Sequence, residues 1–389
     1  MPFETTIDSD GVQPGILEEL ASTPYACSAL EQLRGGTANY TFKGTLVQAL
    51  PDGTTKIMIK HSRPYSASNN SFELDIGRAA TEEACLKLTS TLPAAVSERA
   101  VVRTPKLYFY SEETNTQVQE YLEDAIDLKR WAIAHASPAF LEQEAQFYAV
   151  GRTIGVWLRD LHAWGMQPEQ EGFREKVALN KGMQKLKNLV NYTYLMSAVD
   201  TFPDLLTEAK DVFLEVKAMS EEELKDESKL DVIHGDFWTG NITAIPTATD
   251  TCVSRISTLL PNVPFQEGVQ TPVFVVDWEM CEMAVRPLDL GQFIAELYCL
   301  ILYRDIKAIQ WLINGFAEAY GFVDDAFAFR VAIHTGVHLA SLSSRIPGWG
   351  TDEQIQTVVR TGRDMIVHAW HKDRAWFEAS DLASLFRRG

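Results

Sequence analysis

Apolar positions recur along this chain with two different periods. Up to about residue 122 they come mainly every second residue, and beyond it mainly at steps of three and four. Residues 15–34 predict a short helix and a linking strand. "NYTFKGTLVQAL" (39–50) and "TKIMIKHS" (55–62) alternate on either side of a "PDG" turn, which predicts a β-hairpin. "SFELDIGRAATEEACLKLTSTL" (71–92) sets Ala84, Leu86 and Leu88 among Glu and Lys and reads as a helix. "VRTPKLYFYSEETNTQVQEYLE" (102–123) gives two strands around the polar turn "SEETN". The first part is thus β, β, α, β, β. After it, "IDLKRWAIAHA", "FLEQEAQFYAVGRTIGVWLRDLHAWG" and most of residues 180–226 are helical in pattern, as are residues 287–389 apart from "RIPGWGTDEQ". Between them stand "VIHGDFWTGNI" (232–242) and the strand "TPVFVVDWEM" (271–280). The Thr-, Pro- and Val-rich segment 246–270 reads as a long loop inserted in a hairpin.

Composition narrows the classes. The chain is 46% hydrophobic and 23% charged, so most of it folds. A net charge of −18 disfavours nucleic acid and anionic membrane as partners, and its long-range field favours a cationic small molecule. Five scattered cysteines suggest neither a disulfide framework nor a zinc site and fit a reducing, cytoplasmic compartment. No apolar run reaches the ~18–20 residues of a membrane span. These patterns assign no oligomeric state.

The chemistry gathers on oxygen-bearing side chains. Asn241, Asp277 and Glu279 suit one hard cation, and Asp236 is then available to take a proton from a nucleophile. Phosphoryl transfer asks for that division of labour. The first part supplies the rest: Gly35 and Gly36 for backbone approach to phosphate, Lys60 on a strand, and Glu82 on the next helix to hold it, with Glu83 as an equal rival by helix phase. Glycine loop, strand lysine, helix glutamate, hinge, base and metal carboxylate follow one another in the order used by kinases. His162 reads as structural. Trp238, Trp278 and Trp349 are candidates for an aromatic acceptor wall that would hold a cation.

With these residues in view, the sequence resembles the aminoglycoside phosphotransferase and choline kinase superfamily. "HGDFWTGN" matches its HGDxxxxN pattern, "VVDWEMCEMAVRPLDLGQFIAEL" its metal-binding segment, "LRGGTANYTFKG" its nucleotide loop and "LRDLHAWG" its LxxLH helix. The branch it looks most like holds methylthioribose kinase and the fungal 4-hydroxytryptamine kinase. The resemblance implies an α+β, two-lobed, protein-kinase-like fold, with a nucleotide-binding lobe at 1–122 and a helical lobe at 123–389 carrying the catalytic and acceptor sites. It implies ATP and Mg²⁺ as cofactors and a small-molecule acceptor. Asp236 would be the base. Asn241, Asp277 and Glu279 would be metal ligands, the last directly or through water. Gly35, Gly36, Asn39, Lys60 and Glu82 would serve the phosphates, and Gln119, Glu120 and Tyr121 the hinge. His234 and Asp289 would brace the catalytic segment. Two departures stand out: the 41-position interval from Asp236 to Asp277, and "CEMAVRP" where a "YGP"-like segment is common. A methylthioribose-type sugar kinase and a nucleotide-binding pseudokinase are the alternatives.

Overall fold

The computed structural model describes residues 11–33, 38–136, 143–240, 258–261, 270–345 and 349–387. Helix α1 (Gln13–Leu20) leads into β1 (Cys27–Gln32), β2 (Tyr40–Leu46) and β3 (Lys56–His61). A small hairpin, β4 (Tyr65–Ser66) and β5 (Asn69–Glu73), precedes α2 (Gly77–Thr89). The expected helix from residue 71 therefore starts later. The Asn69 side chain accepts from the backbone N–H and hydroxyl of Ser71, a local turn that competes with helix there. Short strands β6 (Ala95–Val96) and β7 (Ala100–Arg103) follow, then β8 (Leu107–Ser111) and β9 (Thr116–Glu120).

The first sheet has the order β1-β2-β3-β9-β8, antiparallel throughout. One face of it, with Tyr40, Phe42, Ile57, Ile59 and Val118, packs with Ile16 and Leu20 of α1 into a small core. Strand alternation puts these residues on one side and leaves Lys60, paired with Gln117, on the other.

The remainder is mainly helical and forms a second, larger core. After β10 (Ala125–Asp127) come α3 (Leu128–His135), α4 (Gln143–Gly165), α5 (Glu171–Ala178), α6 (Lys181–Asn188), α7 (Tyr194–Thr201), α8 (Pro203–Leu206) and α9 (Lys210–Glu223). Then follow β11 (Asp231–Ile233), β12 (Thr258–Pro261), β13 (Thr271–Val275) and β14 (Glu282–Ala284). Helices α10 (Pro287–Arg304), α11 (Ile309–Tyr320), α12 (Asp325–Ser341), α13 (Asp352–Trp370) and α14 (Arg374–Glu378) close the chain. Helices α4 and α11 lie backbone to backbone. A methyl group on Gly151 would stand 2.0 Å from the Leu312 carbonyl oxygen, and one on Gly315 would stand 2.2 Å from that of Tyr148.

Two findings qualify the expected layout. The segment read as an inserted loop contains β12, which pairs with both β13 and β10; the apolar run "TLLP" has strand character that the surrounding Thr and Pro obscured. The rest of 246–270, apart from Gln270, lies outside the described residues. Strands β6 and β7 join the same sheet, in the order β10-β12-β13-β7-β6, with β7 parallel to β13. A stretch early in the chain thus pairs with the strand that delivers Asp277.

Candidate active site

Lys60 lies at the centre of a charged cluster. Its ammonium meets Glu82 Oε2 at 2.7 Å and Oε1 at 2.9 Å, and Asp277 Oδ1 at 2.5 Å. The choice between Glu82 and Glu83 is settled by this contact, for Glu83 instead faces the exposed Lys87 one turn along α2. Glu82 also accepts from the backbone N–H of Trp278, so the same carboxylate holds the lysine and the residue after Asp277. Gln117 donates to Glu82 and to the Ala79 carbonyl, and the buried Gln119 donates to Gln117.

A second ring surrounds Glu279. Its Oε2 accepts from Asn39 Nδ2 at 2.7 Å and from Arg78 Nε at 3.0 Å. Arg78 is fully buried and also donates to Asn39 Oδ1 and to the carbonyls of Asp75 and Arg63. Asn39 therefore bridges Arg78 and Glu279, within the cluster expected to face phosphate. Arg78 was not anticipated. It sits one helical turn before Glu82 on the same face, and a charged residue on the packed face of a short helix is the signal that was available.

These contacts leave three carboxylates, Glu82, Asp277 and Glu279, against two cations, Lys60 and Arg78. Burial foremost pushes the Asp277 carboxyl up to about 7, with Glu279 and Glu82 adding to it against the pull of Lys60. Burial alone would lower Lys60, but Asp277, Glu82 and Glu279 outweigh it and hold the ammonium above its ordinary value. Surplus negative charge on oxygen donors is the chemistry a divalent cation neutralises, so Asp277 fits Mg²⁺. Asn241, expected beside it, lies outside the described residues, as do Gly35 and Gly36. Among the described residues no group of three or more His, Cys, Asp and Glu is arranged to hold a metal ion.

Asp277 itself stands at φ 64°, ψ 66°, left-handed backbone that non-glycine residues seldom take. At this turn the chain leaves β13 with the Asp277 carboxylate on Lys60, while Trp278 buries in the core against Trp157 and His234.

The turn that carries Asp236 is built on Asp289. Its Oδ2 accepts from the His234 N–H at 2.8 Å and its Oδ1 from the Gly235 N–H at 3.0 Å, while His162 Nε2 meets Oδ2 at 3.1 Å. Burial opposes the charge on Asp289, yet His162 and His234 hold its carboxyl below the usual carboxylate range. Gly235 has φ 80°, and a Cβ there would fall 1.9 Å from the Met280 carbonyl oxygen. The turn presents Asp236, half-buried, whose Oδ1 accepts from Gln292 Nε2 at 2.7 Å. Gln292 was also missed. It follows Asp289 by three positions and precedes Glu296 by four, a polar stripe on the otherwise apolar α10 that the sequence displays.

Other expected residues have different settings. The Glu120 backbone N–H already bonds the Lys106 carbonyl, and its side chain pairs bidentately with Arg103. Gln119 stays within the sheet ladder, and Tyr121 follows the end of β9, half-buried. The aromatic wall is corrected in two respects. Trp278 is wholly buried in the core. The cation beside Trp349 and Trp238 is the protein's own Lys129, 4.0 Å and 5.7 Å from the two rings and paired with Glu296 at 2.8 Å.

No family model matches the chain. Relatives do. The chain is 27% identical over 401 residues to the phosphotransferase FrzJ of Cladobotryum sp, covering 99% of this chain and 98% of that protein. It is 23% identical to 4-hydroxytryptamine kinase of Psilocybe cyanescens, covering 92% of each, and 25% identical to methylthioribose kinase of Bacillus cereus, covering 79% of this chain and 70% of that one. Among solved structures, a choline kinase from Cryptosporidium parvum aligns over 97% of this chain and all of its own at 10% identity, with a TM-score of 0.48.

Proposed function

We propose that this chain, related over nearly its whole length to small-molecule phosphotransferases and matching the aminoglycoside phosphotransferase and choline kinase superfamily, phosphorylates the hydroxyl of an amine-bearing metabolite. That it is an ATP-dependent small-molecule kinase follows from these relatives. The base, the ligands and the acceptor are our assignments. The observation that carries them is the His234 ring, which ties the Asp289-anchored turn of Asp236 to the Val276 carbonyl one residue before Asp277, itself held by Lys60, the partner of Glu82.

In this mechanism Lys60, steadied by Glu82, binds phosphate oxygens of ATP. Asp277, with Asn241 as a further ligand, would hold Mg²⁺, which when bound would supply charge neutralisation on the phosphates. Glu279, tied to Arg78 and Asn39, adds its negative charge beside Asp277 and would serve the ion directly or through water. The acceptor hydroxyl gives its proton to Asp236. Its oxygen bonds to the γ-phosphorus as the bond from that phosphorus to the β–γ bridging oxygen breaks, and the electron pair leaves with ADP.

An amine on the acceptor is supported by the net charge of −18, which raises the local concentration of cations, and by the likeness to 4-hydroxytryptamine kinase along almost the full chain. The likeness to methylthioribose kinase supports a sugar acceptor as the second reading. Among the described residues no helix is long and apolar enough to cross a membrane, and we place the enzyme in the cytoplasm, where its scattered thiols stay reduced. The test is ADP release across a panel of hydroxylated amines, amino alcohols and sugars, with wild type and Asp236→Ala. Acceptor-dependent ADP release that the substitution abolishes supports the assignment. Nucleotide binding without transfer to any acceptor makes the chain a pseudokinase.

A further inference from the structure

Asp236 is held from behind by a relay of two side chains. Gln292 of α10 donates from Nε2 to Asp236 Oδ1, and its Oε1 accepts from the Lys187 ammonium of α6. Lysine offers only donors, so the oxygen end of the amide has to face Lys187 and the NH₂ end has to face Asp236. The lysine thereby removes the ambiguity an amide would otherwise have. Both side chains are buried, at 3% and 4% exposure.

Lys187 has no evident packing reason to be charged there. Burial draws its ammonium below the ordinary lysine range, even with Asp236, Glu282 and Asp289 around it. It closes α6 just before a π-helical turn at Leu189–Thr193, and the Asn191 side chain donates to its carbonyl. Such single-turn irregularities are frequent next to functional groups. Glu282 leaves Oε2 without a hydrogen-bond partner, and the Lys187 ammonium is directed onto Gln292 Oε1.

We propose that Gln292, aligned by Lys187, is a positioning residue that holds one oxygen of Asp236 so that the other meets the acceptor hydroxyl. This rests on Asp236 being the base. No proton passes through the amide; it sets the direction from which the carboxylate receives one.

The experiment compares wild type, Asp236→Ala, Gln292→Leu, Gln292→Glu, Lys187→Met and the Lys187→Met/Gln292→Leu double variant. Each is assayed with ATP and 4-hydroxytryptamine as the probe acceptor, and by ADP release to water where the probe is not turned over. Thermal melts accompany every variant, and Gln292→Leu carries the test whether or not Lys187→Met folds. Gln292→Leu is expected to lower kcat by roughly 30- to 100-fold while KM for ATP stays within about twofold. Gln292→Glu should be as slow, since a carboxylate paired with Lys187 has no proton to donate to Asp236. The double variant should be no slower than Gln292→Leu, because Lys187 acts through the amide. Near-wild-type kcat in either Gln292 variant, or a multiplicative loss in the double, overturns the proposal while leaving Asp236 as base. An unimpaired Asp236→Ala overturns the assignment of the base itself.

Discussion

The His234 ring meets the Val276 carbonyl oxygen through Nε2 at 3.0 Å, one residue before Asp277. Its Nδ1 accepts from the Asp236 N–H at 3.3 Å. A ring that donates from Nε2 and accepts at Nδ1 is the neutral tautomer, and burial, against Asp289 and Asp236, lowers its pKa in keeping with that. One imidazole therefore fixes the spacing between the turn that carries Asp236 and the strand end that carries Asp277, although the two residues are 41 positions apart in the chain.

Removing the ammonium from the cluster should be severe. Lys60→Met leaves Glu82, Asp277 and Glu279 with Arg78 as the remaining cation of the cluster. ADP formation should fall about 100-fold or more at saturating ATP, by analogy with the loss of one positioned donor. Steady-state kinetics check this, and activity within tenfold of wild type would remove Lys60 from the phosphate site.

Arg78→Met tests the buried ring around Glu279. Truncating one partner of a buried ion pair strands the other, at a cost of about 3–5 kcal/mol. Glu279→Gln keeps the shape and should cost less. Urea unfolding midpoints order the two variants, and the reverse order would show that the pair with Glu279 is not what holds Arg78 in place.

Gly235→Ala and Gly53→Ala form a contrast. Both glycines have positive φ, 80° and 87°, but a Cβ at Gly235 strikes the Met280 carbonyl while one at Gly53 meets open space. The first should abolish detectable turnover and destabilise the fold by about 2 kcal/mol or more; the second should cost about 1 kcal/mol and leave turnover intact. Melting curves and ADP assays on both variants decide it.

Stability should depend on His61. Burial foremost lowers its pKa from 6.5 to about 4, and its Nε2 lacks a hydrogen-bond partner. Between those pH values the unfolded chain binds a proton that the folded chain refuses. The stabilisation is thus complete above about 6.5 and is lost as pH falls towards 4. His61→Gln should flatten the dependence of unfolding free energy on pH in that window by up to about 1.4 kcal/mol per pH unit. An unchanged slope would mean that His61 titrates normally.

Much of this was legible in the residues. The alternating "NYTFKGTL" and "TKIMIKHS" pair as expected, Tyr40 opposite His61, because strand register follows a buried face. The Lys60–Glu82 pair was legible as a kind of contact but not as a specific partner, since helix phase alone does not separate neighbours whose packing is set by tertiary structure. Arg78 and Gln292 escaped because each looks like an ordinary polar residue until a carboxylate distant in sequence comes to meet it. The strand at 258–261 was hidden for a different reason: its pairing partners, 125–127 and 271–275, are supplied by the rest of the fold.

The pairing of β7 with β13 has a mechanical consequence. The chain passes between the two large sheets three times, at residues 62–94 by way of β4, β5 and α2, and at residues 104–106 and 121–124. A sheet moored at three points has little freedom to gape open on a single pivot. The sheet that carries Lys60 is thereby kept beside the strand end that carries Asp277, and the ion pair between the two residues is a further tie across the same junction.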